Sequence, residues 1–160
     1  MTLPIAIVPS VLPCDFARLG AEIEALDAAG VDHFQWDVMD GQFVPNLTFG
    51  PDVIDAARRH TSKPFEAHLM VLTPDVLAAR YVEAGCSRLI VHAEACPHLH
   101  RTLGNIASMG AAPAAMASAI TRPKFSVCDG SRNKDATAYG AGRSEPSKTS
   151  ICVEPRARRT

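Results

Sequence analysis

Over residues 1–112 the apolar pattern switches repeatedly between a period of two and a helical period, and this alternation limits the fold more than any other feature. Short runs with strand character fall at 4–8 (PIAIV), 33–38 (HFQWDV), 64–69 (PFEAHL) and 88–92 (RLIVH). Helical patterns lie between them. Asp15 is placed to cap a helix with Phe16, Leu19, Ile23 and Leu26 on one face, which stops at Gly30. Pro51 opens a second helix carrying Val53, Ile54 and Ala57, and its last turn is the basic Arg58-Arg59-His60. A third opens at Thr73 or Asp75 and ends at Ala84-Gly85; a fourth is predicted over 97–109 and closes at Gly110. Each strand–helix unit is near the minimum length for a crossover between parallel strands, so a parallel sheet is required.

Two architectures satisfy that requirement: a closed eight-stranded barrel and an open, doubly wound sheet. The turn after the first predicted strand reads PSVLPCD, with no GxGxxG, which disfavours a dinucleotide-binding sheet. The expected fold class is therefore α/β, of the (β/α)8 TIM-barrel type, with about four βα units followed by an irregular tail.

The tail differs in character from what precedes it. Residues 1–112 hold 7 Lys and Arg against 13 Asp and Glu, a net of −6, whereas residues 113–160 hold 9 against 4, a net of +5. The second segment is rich in Ser, Ala, Arg, Gly and Pro and shows no strand alternation. The expected organisation is a half barrel over 1–112 and a low-order basic tail over 113–160, produced by a frameshifted or degenerate coding region. A half barrel is expected to expose the inner face of its strands and two sheet edges, and so to be poorly stable. Nine basic residues scattered among serines make no organised patch, and no nucleic-acid partner is expected. The start MTLPIAIVPSVLP lacks a basic n-region and is broken by proline, so neither a signal peptide nor a membrane span is expected. Five cysteines without a C-x-x-C motif fit reduced thiols and a cytoplasmic location.

Alternate strand residues share a face. Gln35, Asp37 and Met39 fall together on the second predicted strand, opposite Phe34, Trp36 and Val38; Glu66, His68 and Met70 fall together on the third, opposite Phe65, Ala67 and Leu69. Helices would cover the apolar side of each. Ser10, Asp37, His68 and His92 all come at C-terminal strand ends, the rim at which such barrels place their chemistry. An unpaired buried carboxylate is costly, so Asp37 needs a partner or a chemical task. Asp40, before Gly41, reads as a turn former. The run Cys96-Pro97-His98-Leu99-His100 contains metal-binding side chains but begins a predicted helix, where an exposed turn is the simpler reading.

PSVLPCDFARLG, WDVMDGQFVPNLTFGP, HLMVLTPD and VHAEACPHLHRTL, in this order from about residue 5 to about residue 112, strongly resemble the ribulose-phosphate 3-epimerase family of sugar-phosphate metabolism. The resemblance implies interconversion of D-ribulose 5-phosphate and D-xylulose 5-phosphate in the pentose phosphate pathway. It implies a small sugar phosphate as ligand, a homo-oligomer, and one divalent metal ion such as zinc, iron or manganese. Removing a proton beside a ketone and returning it to the other face needs an acid/base group on each side and a stabiliser for the enediolate. By resemblance Asp37 is the catalytic acid/base and a metal ligand, and His68 is a further ligand that meets substrate. Ser10, Met39 and Met70 line the substrate. Gln35 stands where the family commonly has a histidine ligand, and an amide oxygen is the poorer partner for zinc. The resemblance also leads one to expect a second catalytic Asp and phosphate-binding glycine loops from four further units, which the sequence after residue 112 does not show. Two alternatives to the leading expectation are another ketose-phosphate 3-epimerase and a non-catalytic half-barrel remnant.

Overall fold

The computed structural model describes residues 5–117. Within them four strands form one sheet, β1 (Phe34–Met39), β2 (Phe65–Met70), β3 (Cys86–His92) and β4 (Ala112–Met116). All three pairings are parallel, and the strand order follows the chain, β1-β2-β3-β4. The helices α1 (Leu19–Ala28), α2 (Pro51–Ala57), α3 (Pro74–Glu83) and α4 (Leu99–Ser108) alternate with the strands, and each packs on the next. A doubly wound sheet reverses its strand order at a switch point. No reversal occurs here, and the arrangement is that of part of a (β/α)8 barrel.

Alternation sorts the side chains as expected. Phe34, Trp36 and Val38 of β1, Phe65, Ala67 and Leu69 of β2, and Leu89 and Val91 of β3 are buried in one core with Ile23, Ile54 and Ile106 of the helices. Trp36 meets Phe49 edge-on at 5.1 Å and Phe65 at 5.2 Å. Arg58 lies over the Phe65 ring at 3.6 Å and donates to the carbonyls of Thr61 and Lys63, which closes the turn after α2. Gly30 and Gly110, with φ of 84° and 88°, follow α1 and α4 in the left-handed conformation that ends a helix cheaply only at glycine.

Several elements depart from the sequence expectation. Asp15 caps as expected, accepting from Ala17 N at 3.0 Å, but it caps a short 3-10 turn, Phe16–Arg18, ahead of α1. Phe16 is 54% exposed and packs one edge on Phe49, so it does not belong to the buried face. The segment expected as the first strand forms no regular strand among the described residues. It runs beside β1 through four backbone bonds: Asp32 N to Ile7 O, His33 N to Ile7 O, Gln35 N to Pro9 O, and Val11 N to Gln35 O. Pro9 has no N–H to give in return, which limits a ladder.

The larger departure is β4. Residues 113–116 belong to a strand, although the alanine-rich sequence carries no branched or aromatic alternation. Pairing with β3 supplies the order that propensity does not, and Pro113 is tolerated because β4 is the last strand of the described sheet. The rest of the expected tail, with Asp129 and Gly130, lies outside the described residues.

The face turned away from the helices is not open in the way a bare half barrel suggests. Gln35, Asp37, Glu66, Ile90 and His92 on that face are all buried. Phe43, from the loop after β1, lies against His92 with ring centres 4.7 Å apart.

Candidate active site

Strand register brings the expected residues together. Asp37 pairs with His68 across β1 and β2, and Met39 with Met70, each the last residue of its strand. Ser10 joins by an isolated bridge to Gln35 on the free side of β1. Three chain segments far apart in sequence therefore meet at the C-terminal ends of neighbouring parallel strands.

Asp37 is at the centre. Ser10 Oγ donates to its Oδ2 in a short hydrogen bond. Its Oδ1 accepts from Gln35 Nε2 at 2.9 Å and from His68 Nδ1 at 2.9 Å. Burial by itself pushes the Asp37 carboxyl up, but the bonds from His68, Ser10 and Gln35, with the field of His68, bring it below its ordinary value. The carboxylate is thus held ionised at neutral pH in a largely dry place. Thr48 shapes the strand end: its hydroxyl donates to the Asp37 carbonyl and accepts from Met39 N at 2.9 Å. Ser10 Oγ also accepts from Leu12 N at 3.1 Å, which fixes its rotamer.

His68 reaches a second imidazole, with its Nε2 at 2.8 Å from His92 Nε2 and the ring planes 29° apart. Burial lowers the basicity of His92, His68 lowers it further, and Glu94 opposes both. Sequence reasoning placed His92 at the rim but gave it no partner. Asp40 is a turn former, as expected: Oδ1 accepts from Gln42 N and Phe43 N at 2.8 Å each, and Oδ2 from Leu72 N at 2.8 Å. It ties the loop after β1 to the loop after β2. His98 precedes α4, and no group of three His, Cys, Asp or Glu able to hold a metal forms among the described residues, at the Cys96–His100 run or elsewhere.

These side chains fit a divalent cation poorly as they stand. Both ring nitrogens of His68 are engaged, one by Asp37 and one by His92. Gln35 presents its NH2 to Asp37, leaving one carboxylate as the anionic donor among them. Imidazole in place of that amide adds a nitrogen lone pair of the kind zinc prefers. Zinc titration of the 160-residue chain by calorimetry is expected to show Gln35→His binding at least about tenfold more tightly than wild type, the scale on which groups around a metal act. Equal affinities would count against Gln35 as the weak position.

A carboxylate, a hydroxyl and an imidazole thus gather at the C-terminal rim of a parallel β/α sheet, the end at which barrel enzymes place their chemistry. The sequence model of the Ribulose-phosphate 3 epimerase family matches residues 6–124, and the chain belongs to that family. It is 43% identical over 136 residues to a ribulose-phosphate 3-epimerase of Synechocystis sp., covering 81% of this chain and 59% of that protein. It is 48% identical over 106 residues to one of Bacillus subtilis, covering 66% of this chain and 49% of the relative. A chloroplastic ribulose-5-phosphate-3-epimerase of Arabidopsis thaliana is 44% identical over 109 residues, with 67% of this chain and 39% of that protein covered. The chain thus spans from about two fifths to three fifths of the length of these curated relatives.

Proposed function

We propose that the Asp37 site carries out the proton step of a 3-epimerase acting on a ketose phosphate, D-ribulose 5-phosphate and D-xylulose 5-phosphate being the pair. The observation that carries this reading is the register match of Asp37 with His68, completed by Ser10 from a third segment. In the proposed step the Asp37 carboxylate takes the proton from C3, made acidic by the adjacent C2 ketone. Ser10, Gln35 and His68 orient the carboxylate, so the base does not reorganise when it acts. Met39 and Met70, side by side at the strand ends, offer uncharged sulfur near the reacting carbon and compete for no proton. No step is assigned to a cation.

Inversion at C3 needs a second acid on the far side of the substrate. Among the described residues Asp37 is the carboxylate placed at the rim with His68 and Ser10. The described residues, taken by themselves, are therefore proposed to exchange the C3 proton slowly with solvent and to return it to the same face. Incubation with D-ribulose 5-phosphate in heavy water is expected to give deuterated ribulose 5-phosphate and no xylulose 5-phosphate. Accumulation of xylulose 5-phosphate would show that a second acid acts.

The remaining expectations belong to the same proposal. Cys14, Cys86 and Cys96 are free thiols, which supports a cytoplasmic setting, and no described helix is long and apolar enough to cross a membrane. Self-association in solution is proposed from the family likeness.

A further inference from the structure

The loop after β1 is closed on itself. Thr48 N donates to the carbonyl of Met39 at 3.2 Å and Gly41 N to that of Asn46 at 2.7 Å, while Asp40 and Leu47 form an antiparallel bridge. Gly41, with φ of 72°, makes the left-handed turn that this closure needs and that glycine adopts cheaply. A loop pinned to itself moves as one body about its stem, so its tilt over the strand ends is set by contacts beyond the loop. Asp40 makes such a contact. Its Oδ1 accepts from Gln42 N and Phe43 N inside the loop, and its Oδ2 from Leu72 N in the loop after β2, each at 2.8 Å. Asp40 follows Met39 and Leu72 lies two residues past Met70, so one carboxylate spans the two loops beside that register pair.

The same loop carries Phe43 across the rim. β2 lies between β1 and β3 in the sheet, yet Phe43, from the loop after β1, reaches His92 at the end of β3. Its ring therefore passes above the end of β2, and it is half-buried, with part of its surface left to meet a ligand.

We propose that Asp40 is a positioning residue, tying the loop after β1 to the loop after β2 so that Phe43 stands as an apolar wall of the substrate's place at the rim. Such a ring would meet the C–H side of a ketose phosphate chain. That ligand rests on the proposed 3-epimerase reading, whereas the position of the wall can be read without substrate. Loosening the tie lowers the fraction of molecules with the wall in place, and apparent affinity falls by that fraction.

Asp40→Asn separates the parts. Its amide oxygen can still accept from Gln42 N and Phe43 N, but its NH2 meets the Leu72 N–H donor to donor. NMR on the full 160-residue chain without substrate is expected to show, in wild type, Phe43 ring protons close to His92. The Leu72 amide hydrogen should exchange about tenfold more slowly than in Asp40→Asn, the scale of a bond to a charged acceptor, and the variant should weaken the contact between Phe43 and His92. Titration with D-ribulose 5-phosphate, followed by NMR, is expected to show Asp40→Asn and Phe43→Ala each binding about tenfold more weakly than wild type. Because Asp40 acts through Phe43, the double variant should bind within about twofold of Phe43→Ala. Equal Leu72 exchange in wild type and Asp40→Asn, an unmoved Phe43 in that variant, losses that multiply in the double variant, or a wild type that does not bind the sugar phosphate would each overturn the proposal. If Phe43→Ala does not fold, the Leu72 and Phe43 signals of Asp40→Asn decide it. Binding with an inert C3 proton would count against the epimerase reading and leave the wall standing; C3 exchange by wild type with undiminished binding by Asp40→Asn would do the reverse.

Discussion

Asp37→Asn is expected to slow C3 proton exchange by about 10²- to 10⁴-fold, the contribution typical of a positioned general base, while leaving the fold in place. The amide has nearly the shape of the carboxylate and can still accept one bond from His68 or Ser10, but it cannot take a proton at neutral pH. Circular dichroism should therefore show the fold retained while the rate collapses. The pH profile follows from the direction of the shift. Hydrogen bonds hold the Asp37 carboxyl below its ordinary value of 3.8. The base form, and the folding stability that its bonds contribute, are thus fully present above that value and are lost only as pH falls through the lower folded-state value. Exchange by wild type should show no acid limb in the range of an unperturbed carboxylate. A limb near pH 6 would mean that an imidazole, not Asp37, is the base.

Trp36→Ala is expected to remove about 3–5 kcal/mol of stability, the usual cost of emptying a large aromatic site. Trp36 is fully buried between Phe49 and Phe65 and helps join β1, β2 and the loop before α2. Against a typical total of about 5–15 kcal/mol, that loss is enough to leave much of the chain unfolded. Trp36→Phe should cost far less, because the indole N–H is buried without a hydrogen-bond partner and its removal relieves a desolvation penalty. Urea denaturation of the two variants gives the comparison. A cost below about 1 kcal/mol for the alanine variant would show that this aromatic cluster does not hold the sheet to its helices.

How far the molecule can be read from its sequence varies with the residues. β1 and β2 were legible because Phe34, Trp36, Phe65 and Leu69 alternate with polar side chains, so the two faces are told apart by chemistry alone. The meeting of Asp37 and His68 was legible for the same reason, since residues that share a face and a height on adjacent strands have few places to go. β4 was not, because alanine and proline carry little strand signal and the pairing with β3 decides their conformation. The segment before Ser10 looked like a strand by apolar content, yet Pro9, which has no N–H to give, leaves it with only part of a ladder. Gln35 was a ligand position only by resemblance, and the bond its amide N–H gives to Asp37 depends on the carboxylate two residues along. The partnership of His68 with His92, and the packing of Phe43 over it, are contacts in space between side chains whose types give no hint of each other.

The most direct test of the central claim is proton NMR of D-ribulose 5-phosphate in heavy water, with wild-type chain and Asp37→Asn run side by side. The account predicts that the C3 proton signal fades with wild type and persists with the variant, while the other carbon-bound protons stay in both. A C3 signal that outlasts wild type as long as it outlasts buffer, or that fades equally with both proteins, would contradict it.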